Sequence, residues 1–262
     1  ARSTAGDDNP FADIVKRFSI YSLARNALTG HRHWEKMWRS PEPRPEYDAI
    51  IIGGGGHGLG AAYFLAKDHG ITNVAVLEKG WLGGGNTGRN TMTVRSNFLR
   101  EDSVPFHELS LDLYHQLSRE LNYNLMVSQR GMITFIQSSA ANRVALQMAN
   151  TMHIYGAEYR MLTLEEVKQK IPIFEPSPNM RLPVRGGVYQ PRASMVRHDA
   201  VAWGYARGAD QYGVDILQNC EVTGVERNGS AVTGLQTSRG MIRAKKIGFA
   251  VAGNTSRLWR MA

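Results

Sequence analysis

Residues 47–58 read YDAIIIGGGGHG, and this stretch decides the fold. The first six, Tyr47–Ile52, form a short β-branched run that is typical of a buried parallel strand. The loop that follows contains the pattern G-x-G-x-x-G as Gly53, Gly55 and Gly58. In a dinucleotide-binding turn the first glycine permits the tight bend, the second admits a pyrophosphate, and the third lets a helix pack closely. The sequence therefore predicts a strand that runs into a phosphate-binding turn.

The residues after this turn complete a strand–helix–strand unit. Residues 59–70 (LGAAYFLAKDHG) have helical periodicity and end in glycine, and Asn73–Leu77 (NVAVL) is a second buried strand. Glu78 ends that strand, at a position where a carboxylate accepts hydrogen bonds from an adenosine ribose. We expect His57 to contribute its backbone amide and not its ring. The predicted dinucleotide contacts are Gly53, Gly55, Gly56, His57, Gly58, Glu78 and Lys79.

A second glycine-rich segment distinguishes between the two common dinucleotides. Residues 77–90 read LEKGWLGGGNTGRN and overlap the ribose carboxylate. Such a segment is hard to explain in a nicotinamide enzyme, whereas it suits a longer ligand with a flavin ring and a ribityl chain. The sequence therefore favours FAD, although the residues alone leave an ordinary surface loop open. The predicted contacts of the flavin part are Asn86, Thr87, Arg89 and Asn90.

The composition narrows the class of protein further. The 262 residues are 42% hydrophobic and 21% charged, which indicates a folded chain and excludes disordered, collagen-like and coiled-coil classes. The net charge is +8, but the arginines are scattered singly, so no nucleic-acid partner is expected. With one cysteine, no zinc-like Cys/His spacing and no long apolar run, we expect no metal, no membrane span and a cytoplasmic location.

Three blocks of the sequence carry a resemblance to a known family. They are residues 53–66 (GGGGHGLGAAYFLA), 77–97 (LEKGWLGGGNTGRNTMTVRSN) and 188–206 (VYQPRASMVRHDAVAWGYA). Over about residues 17–262 the chain resembles the β subunits of heterotetrameric sarcosine oxidases, flavoproteins of the glycine-oxidase and D-amino-acid-oxidase type. The resemblance implies an α/β fold in which a glutathione-reductase-like FAD-binding domain is interleaved with a substrate domain built on a mixed sheet.

The same resemblance implies a domain order. Residues 1–46 are an N-terminal extension that ends in the breaker-rich SPEPRPE, and we expect this extension to dock on a partner subunit. Residues 47–105 would be the first part of the FAD-binding domain, 106–190 a partial substrate domain, and 191–262 the second part of the FAD-binding domain. Because members of the family continue well beyond this point, we expect that the C-terminal part of the fold is missing from this sequence.

His198 stands in the motif Arg197-His198-Asp199, just before a helical pattern. From the residues alone, a lone histidine at a helix start is more often a cap or a satisfied surface group than a site of chemistry. A neutral imidazole can, however, bond to the 8α-methyl carbon of a flavin, and a helix N-terminus disfavours the imidazolium. The resemblance implies that His198 carries a covalently attached FMN in addition to the noncovalent FAD, with Arg197 close to that anionic flavin.

Three further residues are expected to contact substrate or cofactor. Arg95 is the catalytic candidate, because a guanidinium fork binds the carboxylate of an N-methyl amino acid bidentately. The resemblance implies such an arginine at a comparable place, although residues 91–93 depart from the pattern of the monomeric relatives. Val222 is expected to fix the adenine through its backbone. Gly253, at the end of a strand predicted over residues 250–253 (AVAG), is expected to allow close approach to the diphosphate.

The resemblance also implies an activity. Sarcosine would be oxidised by FAD, electrons would pass to the covalent FMN, and oxygen would be reduced there to hydrogen peroxide. The one-carbon unit would be captured by tetrahydrofolate, and the partners would be the α, γ and δ subunits of a heterotetramer. Two alternatives stay open: a single-flavin amine or amino-acid oxidase or dehydrogenase of the same fold, and a noncatalytic FAD-binding chain that scaffolds a complex.

Overall fold

The computed structural model of the chain describes residues 19–32, 34, 36–98 and 100–261. The predicted N-terminal extension before residue 19 therefore lies outside the described residues. Helix α1 (Ile20–Leu28) follows, and the Ser19 hydroxyl caps it by accepting a hydrogen bond from the Ser22 N–H at 3.1 Å. The extension thus includes one regular helix that the domain prediction did not specify.

Helices and strands alternate along the rest of the described chain. The further helices are α2 (Gly56–His69), α3 (Ser103–Glu120), α4 (Ser139–Ile154), α5 (Leu164–Lys170), α6 (His198–Gln211) and α7 (Thr255–Trp259). The strands are β1 (Glu46–Ile52), β2 (Val74–Leu77), β3 (Thr93–Val94), β4 (Ser128–Gln129), β5 (Met132–Ile136), β6 (Arg160–Thr163), β7 (Gly186–Gln190), β8 (Ser194–Met195), β9 (Asp215–Leu217), β10 (Val222–Asn228), β11 (Ala231–Thr237) and β12 (Gly240–Phe249). Short 3-10 turns occupy Asn86–Arg89 and Ala252–Asn254.

Two compact units share these elements, and each is assembled from separate stretches of the chain. Among the described residues, the first contains those of the stretches 19–81, 121–123 and 205–261, and the second contains those of 82–120 and 124–204. The units depart from the predicted boundaries, because residues 82–105 and 191–204 fall in the second unit. Strand pairing is the physical reason: β3 lies antiparallel to β8, with Thr93 opposite Met195, which joins these two stretches within one unit.

The first unit is built on a six-stranded mixed sheet. Its strand order is β10-β11-β12-β1-β2-β9, in which β12, β1, β2 and β9 are parallel and β10, β11 and β12 are antiparallel. The run predicted as a buried strand is β1, which lies in the middle of the sheet with β2 beside it. Central parallel strands are covered on both faces, which explains their continuous apolar sequences. The core of this unit includes Tyr47, Ile50, Leu77, Leu217 and Leu235.

The second unit contains two three-stranded antiparallel sheets. Their strand orders are β3-β8-β4 and β5-β7-β6. Strands β6 and β7 were not predicted, because a four-residue run that begins with arginine and a five-residue run that begins with two glycines give a weak strand pattern. Val104, Ile136, Met152 and Val188 belong to the apolar core of this unit. The predicted α/β class is confirmed, but the mixed sheet that was expected in the substrate domain lies in the first unit, and the described strands of the second unit pair antiparallel.

A buried carboxylate fixes the chain just before β1. Asp215, in β9, is 1% exposed, and its Oδ2 lies 2.8 Å from Arg44 Nε. Tyr47 Oη donates a hydrogen bond to the same Oδ2 at 3.0 Å, and Arg39 Nη2 lies 3.4 Å from Oδ1. Burial is the main cause that raises the pKa of the Tyr47 phenol to about 12, and the negative charge of Asp215 adds to it. Charge-assisted hydrogen bonds therefore hold the proline-rich linker on the first unit.

The Tyr47 phenol predicts a pH dependence of stability. In the unfolded chain this proton leaves near the ordinary pKa of 10.0, whereas in the folded chain it leaves near about 12. Between these values the unfolded state binds fewer protons, so the free energy of unfolding falls as the pH rises, by about 1–2 kcal/mol after allowance for solvent screening. The Tyr47→Phe variant should lack this decline and should lose about 1 kcal/mol at neutral pH with its hydrogen bond.

Urea titrations of the wild type and of Tyr47→Phe, at neutral pH and near pH 11, measure this difference. Tyr21→Phe is the matched control, because Tyr21 is 83% exposed. Equal declines with pH in the wild type and in Tyr47→Phe would contradict the assignment.

Candidate functional site

The glycine turn at the end of β1 is closed by backbone contacts that leave no room for side chains. Gly53 has a φ of +112°, and a Cβ atom on it would lie 2.4 Å from the carbonyl oxygen of Ala250. A Cβ atom on Gly58 would lie 1.9 Å from the carbonyl oxygen of Gly53. Both predicted glycines are therefore required by the geometry of the chain itself, before any ligand is considered.

The turn leads directly into α2, whose N-terminal end can bind an anion. The helix begins at Gly56, and its N-cap residue, Gly55, has no side chain that would cap the first amides. His57 is the second residue of the helix, and its ring is exposed. Amides at a helix N-terminus attract phosphate groups through hydrogen bonds and through the helix dipole. This end of α2 can therefore hold a diphosphate, as predicted from the glycine spacing.

Glu78 lies at the C-terminal end of β2 and is hydrogen-bonded to the glycine turn. Its Oε2 accepts from the Gly54 N–H and its Oε1 accepts from the Gly80 N–H, both at 2.9 Å. A carboxylate oxygen has more than one acceptor direction, so Glu78 can also accept hydrogen bonds from a ribose. Lys79 is exposed next to it, whereas Val222 begins β10 and is buried in the core of the same unit.

The structure corrects the prediction for residues 250–253. Strand β12 ends at Phe249, and residues 252–254 form a 3-10 turn, so the predicted strand is wrong. Gly253 is exposed in this turn, and a Cβ atom on it would meet nothing within 4 Å. Within the chain, the close approach that was expected at Gly253 occurs at Ala250, whose carbonyl oxygen contacts the glycine turn.

The residues predicted to contact the flavin part form a tight turn in the second unit. The Gly88 N–H donates to the Gly83 carbonyl at 2.8 Å and closes the 3-10 turn Asn86–Arg89. The side chain of Asn90 donates to the Thr87 carbonyl at 2.7 Å. Thr87 is half-buried, whereas Asn90 and the side chains at both ends of the turn are exposed. Hydrogen bonds within the turn therefore hold its backbone, while most of its polar side chains remain exposed.

Within the second unit, this turn is brought next to the segment that carries His198. The Val196 N–H donates to the Met92 carbonyl at 2.9 Å. A Cβ atom on Gly83 would lie 3.6 Å from the Cβ of Ala202, which is in α6. The second glycine turn and the start of α6 are therefore close together in the second unit, although more than a hundred residues separate them in the sequence.

His198 is the first residue of α6, and one of its ring nitrogens lacks a partner. Nδ1 is buried without a hydrogen bond among the described residues, and it lies 4.0 Å from Asp199 Oδ1. Arg197 Nε lies 2.8 Å from the same carboxylate, so that guanidinium faces Asp199. Burial would raise the pKa of Asp199, but hydrogen bonds from Arg197 and from the Ala200 N–H outweigh burial and lower it. An unpaired buried nitrogen costs about 1–3 kcal/mol, which indicates that a further group satisfies it.

Arg95 lies in a polar cluster that the sequence revealed only in part. Its Nη1 donates to Asn97 Oδ1 at 2.6 Å, and the guanidinium lies 4.6 Å from the centroid of the Phe98 ring. Burial raises the pKa of the nearby Tyr159 phenol, while Asn97 and the charge of Arg95 oppose the rise. A fixed cation, an amide and a phenol together can orient a small amino acid. Asn97 was missed because no motif marks it, although it is only two residues beyond Arg95, and Tyr159 was missed because it comes from a distant part of the sequence.

A buried polar network supports the same segment. Ser96 is fully buried and hydrogen-bonds to both Gln190 and Glu108. Glu108 also pairs with Arg192, which in turn pairs with Asp112. Since Ser96 directly follows the predicted catalytic arginine, the network fixes the backbone at that point. No sequence motif predicted it, because its members come from three distant stretches of the chain.

The described residues offer neither a metal-binding cluster nor a membrane-crossing helix. In residues 19–32, 34, 36–98 and 100–261, no group of three or more His, Cys, Asp and Glu side chains could hold a metal ion. Over the same part of the chain, no helix is both long enough and apolar enough to cross a membrane.

These features define a class of protein. A glycine turn between β1 and α2, a carboxylate at the end of β2 and a second glycine-rich turn are the parts of an FAD-binding fold. The family described as FAD dependent oxidoreductase (DAO) matches residues 48–262, which is most of the chain. The chain belongs to this family, and the predicted family assignment is confirmed.

Two curated relatives are similar over nearly the whole chain. Sarcosine oxidase subunit beta of Rhizobium meliloti is 50% identical over 246 residues, which cover 94% of this chain and 59% of the relative. The subunit of the same name from Rhodobacter capsulatus is 48% identical, covering 95% of this chain and 60% of the relative. The chain therefore spans about three fifths of the length of these relatives. Only 16 of the 262 residues lie outside the first match, so this match includes α1, which the family match does not reach.

Solved structures share the fold. L-proline dehydrogenase from P. horikoshii superimposes with a TM-score of 0.76 at 24% identity, covering 84% of this chain and 56% of that chain. Glycine oxidase from Bacillus cereus superimposes with a TM-score of 0.70 at 23% identity, covering 82% and 57%. At these identities the likeness concerns the fold alone.

Two glycines of the same helix predict opposite effects of substitution. In Gly58→Ala the new methyl group meets backbone, the Gly53 carbonyl, so we expect a loss of at least about 3 kcal/mol in the free energy of unfolding and loss of bound FAD. In Gly60→Ala it meets the Tyr205 ring at an ordinary 3.5 Å. Since alanine favours a helix over glycine by about 1 kcal/mol, this control should be as stable as the wild type or more so.

Thermal unfolding and the flavin content per chain measure both effects. If Gly58→Ala matched Gly60→Ala in stability and in bound FAD, the close contact would not be what organises the site.

Proposed function

We propose that the chain is the FAD-binding, β-type subunit of a sarcosine oxidase and takes part in oxidising sarcosine to glycine. One observation carries the proposal: a dinucleotide turn and a histidine with an unpaired buried nitrogen occur in one chain of this family. The substrate is supported by the relatives named sarcosine oxidase subunit beta, which are about half identical over most of this chain.

The residues of the first unit fit FAD. Gly53 and Gly58 pack directly against backbone, and the glycine turn leads into the N-terminal amides of α2, which no side chain caps. We propose that these amides hold the diphosphate, that Glu78 accepts the ribose hydroxyls, and that Val222 and Gly253 border the adenine and the diphosphate. The polar turn at residues 86–90, with Asn86, Thr87, Arg89 and Asn90, would hold the flavin part.

The residues around His198 fit a covalently bound FMN. The unpaired Nδ1 is the kind of atom that a bond to the 8α-methyl carbon would satisfy. The start of α6 lies next to His198 and favours an anion, and the Arg197–Asp199 pair limits the position of the neighbouring side chains. We propose that His198 carries the FMN through this nitrogen: one C–H bond of the 8α-carbon and the imidazole N–H would be lost as the N–C bond forms, and oxygen would take up the two electrons and two protons as hydrogen peroxide.

The Arg95 cluster fits a small amino-acid substrate. We propose that guanidinium donors other than Nη1 receive the substrate carboxylate, while Asn97 keeps Nη1 in place. Tyr159 and the Ser96 network would hold the cluster in one arrangement. Orientation of the N-methyl group is then the contribution of the protein, since an enzyme of this kind leaves the redox chemistry to its cofactor.

The chemistry that the flavins supply when bound is uptake of a hydride equivalent from the N-methyl carbon, with oxygen as the final electron acceptor. In balance, sarcosine, water and oxygen give glycine, hydrogen peroxide and a one-carbon unit at the oxidation level of formaldehyde. We retain capture of this unit by tetrahydrofolate, and α, γ and δ partner subunits, as parts of the proposal. A single-flavin oxidase of the same fold is the second candidate, and it is favoured if His198 carries no flavin.

If Arg95 binds the substrate carboxylate, its replacement should raise the sarcosine concentration that reduces the flavin. In a complex of the full-length chain with its partner subunits, anaerobic sarcosine should bleach the visible flavin absorbance. Arg95→Gln removes the charge that holds the carboxylate, so half-maximal bleaching should need about 10- to 100-fold more sarcosine. The matched control is Arg100→Gln, because Arg100 is exposed and pairs with Asp102 on the surface.

Several outcomes would contradict the proposal. Equal sarcosine requirements in the two arginine variants would remove Arg95 from the site. No bleaching by sarcosine in the wild-type complex would overturn the activity. Bleaching by other amines instead would favour the single-flavin oxidase, and bleaching by none would favour the scaffold.

His198 predicts where flavin is retained after acid precipitation of the complex. FAD should be released into the supernatant, and the tryptic peptide 198–207 should carry the mass of FMN. His198→Asn should release all flavin, because the amide cannot form the bond, whereas His153→Asn, on an exposed position of α4, should behave as the wild type. An unmodified 198–207 peptide from the wild-type complex would show that the assignment is wrong.

A further inference from the structure

Helix α1 turns its apolar side outward. Ile20, Leu23 and Leu28 lie on one side of the helix, and Ile20 and Leu28 are 76% and 89% exposed. Asn26 is the buried residue of α1, at 6% exposure, and its Nδ2 donates to the Ser22 carbonyl at 2.9 Å. Surface helices of globular proteins ordinarily bury their apolar side and expose their polar side. The reversed orientation of α1 indicates that its apolar side is covered by something other than the described residues.

The position of α1 in the sequence relates it to assembly. The helix precedes residue 48, where the match to the FAD-dependent family begins, so it is an addition to the common fold. It nevertheless falls inside the matches to relatives that are named as subunits. A helix that is absent from the catalytic fold and shared with subunits fits a function in binding a neighbour.

The side chains of α1 specify the chemistry of that neighbour. Anchors at positions i, i+3 and i+8 are the pattern of a helix that lies in an apolar groove. Residues 19–32 contain Arg25 and Arg32 and no Asp or Glu, so the complementary groove has carboxylates on its rim. A single arginine, Arg25, on a nine-residue helix is few for a membrane-surface helix, which is rich in Lys and Arg. Pairing of two copies of α1 would bring like charges together.

We propose that α1 docks into an apolar, acid-rimmed groove on a non-identical subunit of the same oligomer. Tyr21, which is 83% exposed, borders the three aliphatic anchors and extends the contact. The inference rests on the proposed function in one respect, that the chain works as a subunit, and it names the element that makes the contact.

The test uses the full-length chain co-expressed with the α-, γ- and δ-type subunits. In the double variant Leu23→Gln/Leu28→Gln, two anchors become polar while helix propensity is nearly kept. Mass photometry should show the dissociation constant of the complex rising at least about tenfold, with FAD content unchanged. The matched control is Val144→Gln/Leu146→Gln, which changes two exposed aliphatic side chains of α4 and should leave assembly as it is. A photocrosslinker at Ala24 should label a partner subunit at an apolar, carboxylate-flanked segment.

Each other outcome overturns the inference. Equal assembly of the two double variants would show that α1 is not the contact. Crosslinking between two copies of this chain would assign α1 to self-association. Loss of binding to phosphatidylcholine–phosphatidylserine vesicles, with assembly intact, would assign it to a membrane surface. The proposed function is tested separately: a complex that assembles through α1 but is not reduced by sarcosine would contradict that function and leave the docking inference standing.

Discussion

The contact of Gly53 with Gly58 and Ala250 is the constraint on which the rest of the site depends. The end of β1, the start of α2 and the residue after β12 meet there, at distances that a single methyl group on either glycine would prevent. Because the three segments approach so closely, the first amides of α2 and the carboxylate of Glu78 are held at one edge of the sheet. The dinucleotide site is therefore a consequence of how the chain packs on itself.

In the first unit, the groups that fix the linker and the groups that can bind a ligand lie at opposite edges of the sheet. Tyr47 and Asp215 lie at the N-terminal ends of the parallel strands β1 and β9, where buried charge-assisted hydrogen bonds fix the linker. The glycine turn and Glu78 lie at the C-terminal ends of β1 and β2. Ligands of open α/β sheets bind at the carboxyl ends of their strands. Substitutions of Tyr47 or Asp215 should therefore affect folding alone, whereas substitutions of the packed glycines Gly53 and Gly58 should affect both folding and cofactor binding.

The sequence predicted the features that depend on local patterns. The glycine turn, the two central strands, Glu78 and the placement of His198 at a helix start all follow from residues that are close together in the chain. Features that depend on distant pairing were missed or wrong. The Ser96–Gln190 network, the approach of Tyr159 to the Arg95 cluster and the grouping of residues 82–105 with the second unit arise from contacts between remote segments. The strand predicted to reach Gly253 was wrong because apolar residues alone do not show where a strand ends.

An electron cryomicroscopy map of the FAD-loaded complex of the full-length chain tests the account most directly. The account predicts that the FAD diphosphate lies against the amides of residues 54–58, that its adenosine ribose is hydrogen-bonded to Glu78, and that separate flavin density is continuous with Nδ1 of His198. Cofactor density elsewhere in the chain, or a ribose that does not contact Glu78, would contradict it.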